Sequence, residues 1–188
     1  MCTFPFPPEM LELGSVHLVP VREEHAEYIY SLRVDETLNK FLSKPPASAV
    51  VQAEWIQKYV EREKVGSEYY FVIAVKGGAM CGTVRLYDFR PESFCWGSWI
   101  LDRNKTRFAA VESALLVYRI GFEKLNFVAS HFEVRKANSK VITFHLRFGA
   151  RVTSEGEDNI YMQLTRKAFE EKEPDLLKLI SGGSSKCP

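Results

Sequence analysis

The sequence predicts one α+β domain built on a central mixed, mostly antiparallel sheet. Three observations predict it. Strand-like and helix-like segments alternate in the order strand, two helices, three strands, helix, strand, helix, two strands. The three consecutive strands are separated only by short turns, which makes them antiparallel neighbours. The 188 residues are 46% hydrophobic and 13% aromatic, with no internal repeat and no linker, so they suffice for one sizeable core.

The elements follow in order. Residues 1–11 read as an arm rich in Pro and Phe, either loosely docked or packed on a second subunit, and so open to a homodimer. A short strand covers 16–21. A helix over 23–33 places Ala26, Ile29, Tyr30 and Arg33 on one side. A further short helical piece is expected over 36–42, stopped by Lys44-Pro45-Pro46-Ala47-Ser48. A second long helix over 51–64 carries Val51, Trp55 and Tyr59 in register. Strands at 68–76 and 79–89 join through Gly77-Gly78, and a third follows at 94–101. A long helix over 106–125 has Val111, Leu115, Tyr118, Phe122 and Leu125 as its inner face. Two last strands, 150–154 and 159–165, close the domain. Residues 166–181 read as helical turns interrupted by Pro174, and Gly-Gly-Ser-Ser-Lys-Cys-Pro as a flexible end. The chain thus divides into an arm (1–11), a domain (12–166), and a helical extension with a tail (167–188).

The stretch 127–150 is the most informative. A buried strand leads to Asn138, a good N-cap whose side-chain oxygen can accept from free helix amides, and Gly149 suits the left-handed position that ends helices. Between them Val141, Phe144, His145 and Phe148 share one helix face. A histidine in an apolar stripe is either a core residue with a satisfied partner or a catalytic group on a rigid scaffold. Strand, Asn138, Val141, Phe144, His145, Gly149 and Ala150 in this order resemble the C-terminal half of the GNAT N-acetyltransferases, with the likeness extending over roughly residues 12–165. The resemblance implies a sheet of about six or seven strands with helices on both faces. His145 stands where the family usually carries the tyrosine that protonates the departing CoA thiolate. Imidazole titrates near neutrality and can act as acid or base.

The resemblance also implies acetyl-CoA as acyl donor and no metal. In the family, a Gly-rich loop opens the long helix and its amides face the CoA pyrophosphate. The matching run here is Arg107, Phe108, Ala109, Ala110, Val111, Glu112, with Arg103 upstream and no glycine between Arg103 and Glu112. Arg103, Lys105 and Arg107 form a local basic cluster, either a solvated loop or a phosphate contact. Glu112 would repel a pyrophosphate unless it points away; an acid in a first helical turn is otherwise ordinary. Pantetheine is expected to add along the strand around Ile100 and Leu101, and Asn138 is a further cofactor contact.

For the proton steps, the candidates beside His145 are Glu133 and His131, which share one strand face by alternation. That face either lines the acceptor cavity or is satisfied by mutual hydrogen bonds. Asp88 and Glu92 are candidates for orienting a cationic acceptor. The pattern implies an acetyl-CoA-dependent N-acetyltransferase acting by direct attack of a small-molecule primary amine, favouring an amino-sugar nucleotide. A ribosomal-protein-like N-terminal acetyltransferase and a non-catalytic acyl-CoA-binding or regulatory module are the alternatives.

Composition narrows the partners. A net charge of +1 argues against a nucleic-acid surface. The four cysteines at 2, 81, 95 and 187 show no metal-ligand spacing; Cys81 and Cys95 either face each other across strands or are free thiols. No run of residues has the length of a membrane span and no leader is evident, so a cytoplasmic protein is expected.

Overall fold

A computed structural model describes residues 4–183. The strands are β1 (Glu12–Leu13), β2 (Val16–Pro20), β3 (Tyr69–Val75), β4 (Met80–Tyr87), β5 (Ser93–Leu101), β6 (Ala129–Arg135), β7 (Arg151–Glu155) and β8 (Asn159–Thr165). They form one 8-stranded sheet in the order β1-β2-β3-β4-β5-β6-β8-β7, antiparallel throughout except between β5 and β6. The strand beyond the expected six or seven is β1, only two residues long and so without any alternation to read.

Helices α1 (Ala26–Val34) and α2 (Ala49–Lys64) cover one face over β2–β4, with Val21, Ile29, Ile56, Tyr59, Tyr70 and Val72 as the buried layer between. On the other face lie α3 (Ala109–Arg119), α4 (Ser139–Arg147) and α5 (Arg166–Gly183), around a core that includes Phe71, Phe94, Leu115, Tyr118, Phe122, Phe148 and Phe169. Helix α3 continues as a π-helical turn over Ile120–Lys124. Among the described residues no helix covers the α1/α2 side of the β6-β8-β7 half, and Glu133, Arg135 and Tyr161 are exposed there. The cost of burying Glu133 that two covered faces would impose therefore does not arise.

Three expectations change. Residues 36–42 form isolated turns, because the Asp35 carboxylate accepts from both the amide and hydroxyl of Thr37 and competes with helix formation. Helix α5 runs through Pro174, held on the core by buried Phe169 and Ile180 and by an Arg119–Glu173 ion pair. The Asn138 side chain makes no capping bond; its backbone carbonyl accepts from the amides of Val141 and Ile142 instead. Cys81 and Cys95 do not face each other: Cys95 lies opposite Tyr87, whereas Cys81 sits beside Gly82, which pairs with Leu101 at the far end of β5. Both thiols are free and buried. Within the arm, Phe6 is buried against Tyr69 and Phe71 of the same chain. Cys2, Cys187 and most of the expected flexible end lie outside the described residues.

Candidate active site

The parallel pair β5/β6 is joined only at Ser93↔Ala129 and Phe94↔Ser130. Beyond Phe94 the strands separate, and the edge of β5 that faces β6 is left unpaired from Cys95 to Leu101. The gap opens a cleft of about 410 Å³, lined among others by Trp96, Trp99, Phe132, Glu133, Asn138 and His145. Of the expected pantetheine positions, Ile100 is buried and Leu101 half-buried on this strand.

A bulge shapes β5. Thr83 pairs with Ile100 and Arg85 with Gly97, so Ser98 and Trp99 together oppose Val84. Ser98 has φ +47°, an uncommon conformation for a residue with a side chain. The extra residue resets the alternation, so Trp96 and Trp99 both point to the α3 side. Trp96 packs edge-on to Tyr118, and the Trp99 indole donates to the Ser113 hydroxyl at 3.2 Å while its ring packs on Phe144.

Helix α4 carries His145 into the cleft wall. The Schellman end of the helix fixes it there: Gly149, at φ +96°, donates to Leu146, and Ala150 donates to the His145 carbonyl at 3.1 Å. The imidazole is 5% exposed, tilted over Phe132 at 4.2 Å and edge-on to Trp96 at 5.3 Å. Burial pushes its pKa down to about 3. It is therefore neutral at pH 7, which corrects the expectation of a group titrating near neutrality. The Tyr118 hydroxyl lies 3.4 Å from Nδ1, and its own pKa is pushed far up by burial.

The other two candidate acid–base residues separate. Glu133 lines the cleft and accepts from the Asn159 amide at 3.1 Å. His131 does not line it: Nδ1 is 2.8 Å from the Ser93 hydroxyl and Nε2 is 2.9 Å from Asp88, which also takes Arg90. Alternation put His131 and Glu133 on one face correctly, but the cleft begins only beyond His131, where the strands part. Asp88 is thereby engaged by side chains of its own chain. Cys95 lines the cleft too, yet burial raises its thiol to about 11, so no thiolate nucleophile is available near neutrality.

At the other end of β5, the loop 102–108 leads into α3. Arg103, Lys105 and Arg107 are exposed and Phe108 is half-buried, with the Arg107 guanidinium 5.1 Å from its ring. Ala109 is buried and its amide bonds Thr106. The amides of Ala110 and Val111 make no hydrogen bond among the described residues and stand free at the helix N-terminus. Glu112 is 2% exposed and turned from the loop: its carboxylate accepts from the Ser15 amide at 3.2 Å and the Ser15 hydroxyl at 2.6 Å. Gly14 allows this approach, since a Cβ there would lie 2.2 Å from Glu112 Oε1. That tether holds the Glu112 carboxylate on Ser15. These residues fit a CoA: an unpaired strand edge, two free amides and exposed cations at one end, and a cleft at the other. Among the described residues no cluster of His, Cys, Asp or Glu could hold a metal, and no helix is long and apolar enough to cross a membrane.

Tyr118, Phe132 and the Ser98 bulge were not foreseen as site residues. The signal for the bulge was present: two tryptophans three residues apart in one strand fit a single buried face only if the alternation breaks.

A family model of the GNAT acetyltransferase domain matches residues 15–151. Among solved structures, apo FdhC, described as a nucleotide-linked sugar GNAT, is 48% identical over 88% of this chain and 94% of its own, with a TM-score of 0.82. Two others share the fold at low identity. Spermidine N-acetyltransferase from Vibrio cholerae, in complex with CoA and spermine, is 16% identical over 84% of this chain and 99% of its own, with a TM-score of 0.72. Ribosomal-protein-S5-alanine acetyltransferase from Vibrio fischeri is 17% identical over 82% and 94%, with a TM-score of 0.72. No curated protein matches the chain. The separated β5/β6 pair and a domain match over most of the sequence lead to one conclusion: this chain belongs to the GNAT family and is an acyltransferase.

Proposed function

We propose that the protein is an acetyl-CoA-dependent N-acetyltransferase acting on a primary amine of a small molecule, an amino-sugar nucleotide. The observation that carries the reading is the opening between β5 and β6, with the free amides of α3 at one end and His145 at the other. The 48% identity to a nucleotide-linked sugar GNAT supports the acceptor class.

Acetyl-CoA supplies a thioester whose acyl carbon an unprotonated amine can attack directly. The unpaired edge of β5 offers backbone groups along which an extended chain can lie as an added strand. The Ala110 and Val111 amides, with the positive end of α3, offer donors for a diphosphate, and Arg103 and Arg107 flank them. Asn138 adds a side-chain amide at the cleft wall. Held neutral, His145 is a weak base and acts as an N–H donor. With Nδ1 toward Tyr118, Nε2 is the nitrogen left to hydrogen-bond the departing thiolate, which takes up by way of water the proton that the attacking amine gives up. Removal of the ammonium proton then falls to Glu133 or to water, since His131 is bound elsewhere. Positioning two substrates on either side of the bulge supplies much of the rate.

Calorimetric titration with acetyl-CoA and with CoA tests the first half. One-to-one binding is expected, and no binding at millimolar ligand would leave a GNAT fold without the cofactor and overturn the reading. CoA release with a panel of nucleotide-linked amino sugars, polyamines and peptides then tests the acceptor. Turnover confined to peptides would favour a protein N-terminal acetyltransferase.

A further inference from the structure

The Tyr118 hydroxyl of α3 stands behind His145. Tyr118 does not line the cleft, so it reaches a substrate only through another residue. Its side chain is fully buried, and its one hydrogen-bond neighbour among the described residues is His145 Nδ1, at 3.4 Å. The ring has no room to turn away. It stacks on Phe122 at 5.8 Å, meets Trp96 edge-on at 5.4 Å, and packs on Phe148 and Phe169 at 5.7 and 5.4 Å.

Two proton arrangements fit that contact. If Nδ1–H donates to the phenol oxygen, the Tyr118 proton is left buried with no acceptor among the described residues. If Tyr118 donates, Nδ1 accepts, and the imidazole proton sits on Nε2. The Trp96 indole selects the second arrangement. Indole is a donor only. Its N–H is buried and finds no acceptor within hydrogen-bond distance. Burial pushes the Tyr118 phenol far up, and the Trp96 N–H works against that push, which turns it toward the phenol oxygen. With a donor on that side, the phenol's own proton goes to the other, where Nδ1 is. Trp96, Tyr118 and His145 thus make a chain that runs one way.

We propose that Tyr118 is a positioning residue for the acyl transfer: its hydroxyl donates to Nδ1 and holds His145 in the tautomer and ring orientation that present Nε2–H to the cleft. The catalytic consequence rests on the acetyltransferase reading; the hydrogen bond does not. A ring flipped about Cβ–Cγ would offer the cleft a C–H in place of the N–H. The opposite tautomer would offer a lone pair. Either leaves the departing thiolate without a donor.

The test is imidazole nitrogen NMR of the full chain carrying labelled histidine, at pH 7.5 and without ligand. The His145 signals are those that vanish in His145→Phe. A protonated Nε2 is expected, with an unprotonated Nδ1 displaced by hydrogen bonding. Tyr118→Phe keeps the ring packing and should return Nδ1 to the position of a free acceptor. Saturation with CoA should move Nε2 more than Nδ1. In a CoA-release assay Tyr118→Phe should lower kcat about 10-fold with the KM for acetyl-CoA unchanged. In a His145→Phe background it should lower kcat no further, whereas a merely structural loss would repeat itself there. The proposal is overturned by a protonated Nδ1 in the wild type, by an Nδ1 signal that Tyr118→Phe leaves in place, or by equal losses of kcat in the two backgrounds. The wild-type spectrum decides the proton's place even if the variant fails to fold. The expected spectra without CoA release from any amine would keep Tyr118 as the group that orients His145 and overturn the acetyltransferase reading alone.

Discussion

Replacing His145 by Phe should flatten the acid limb of the protein's stability. The folded imidazole is held at about 3 by burial, against a usual value of 6.5 in the unfolded chain. Below pH 6.5 the unfolded chain gains a proton that the folded chain refuses, so stability present above that pH is lost as pH falls and levels off only near 3. Between pH 7.5 and 5.0 this one residue removes about 1.5 pH units' worth of stability, roughly 2 kcal/mol. For a chain of this length that is about 4–8 °C in Tm. Phe keeps the ring packing on Phe132 and Trp96 but leaves the Tyr118 hydroxyl unpaired, an offset of about 1–3 kcal/mol at every pH. The informative quantity is thus the difference between the two pH values. Thermal melts by circular dichroism at pH 7.5 and 5.0, for wild type and variant, read it directly, and contributions common to both proteins cancel. An identical pH dependence in both proteins would refute the argument that a neutral, desolvated imidazole is built into the cleft wall.

Glu112→Ala removes both bonds to Ser15 and should cost about 3 kcal/mol, seen as a Tm about 6–12 °C lower; a change within 2 °C would show the tether to be idle. Gly149→Ala forces a side chain into φ +96° with its Cβ 3.2 Å from the Ala168 carbonyl oxygen, and a urea midpoint should report a loss of about 1–2 kcal/mol. Glu133→Gln should lower kcat about 100-fold at pH 7 in a CoA-release assay while leaving the KM for acetyl-CoA unchanged; an unaltered kcat would assign the ammonium proton to water.

Much of this fold was legible because its period is written in apolar residues. The stripe Val141, Phe144, His145, Phe148 and the stop at Gly149 placed α4 and pointed His145 inward, as the structure has it. The site was less legible, for reasons of geometry. Alternation says which face a strand residue occupies, not where two strands part, and so it grouped His131 with Glu133. The partner of Glu112 is Ser15, 97 residues away, and no local pattern announces a contact of that separation. The pKa of His145 depends on what surrounds the ring, which is supplied by β5, β6 and α3 together. The helix expected over 36–42 fails on a hydrogen bond internal to Asp35 and Thr37, a competition that periodicity does not register.

The bulge at Ser98 makes strand length in β5 a matter of parity. Upstream of it and downstream of it, the tryptophans address the same side only because one residue too many stands between them. Deleting Ser98 would remove that extra residue, and strict alternation would then set the two tryptophans two positions apart on the same side, with Ile100 still opposite Thr83. What the strand would lose is its bend, since a bulge kinks the strand that carries it. The bulge is therefore a one-residue spacer placed where β5 has already left β6, and a chain without it would keep both tryptophans but straighten the cleft wall between them.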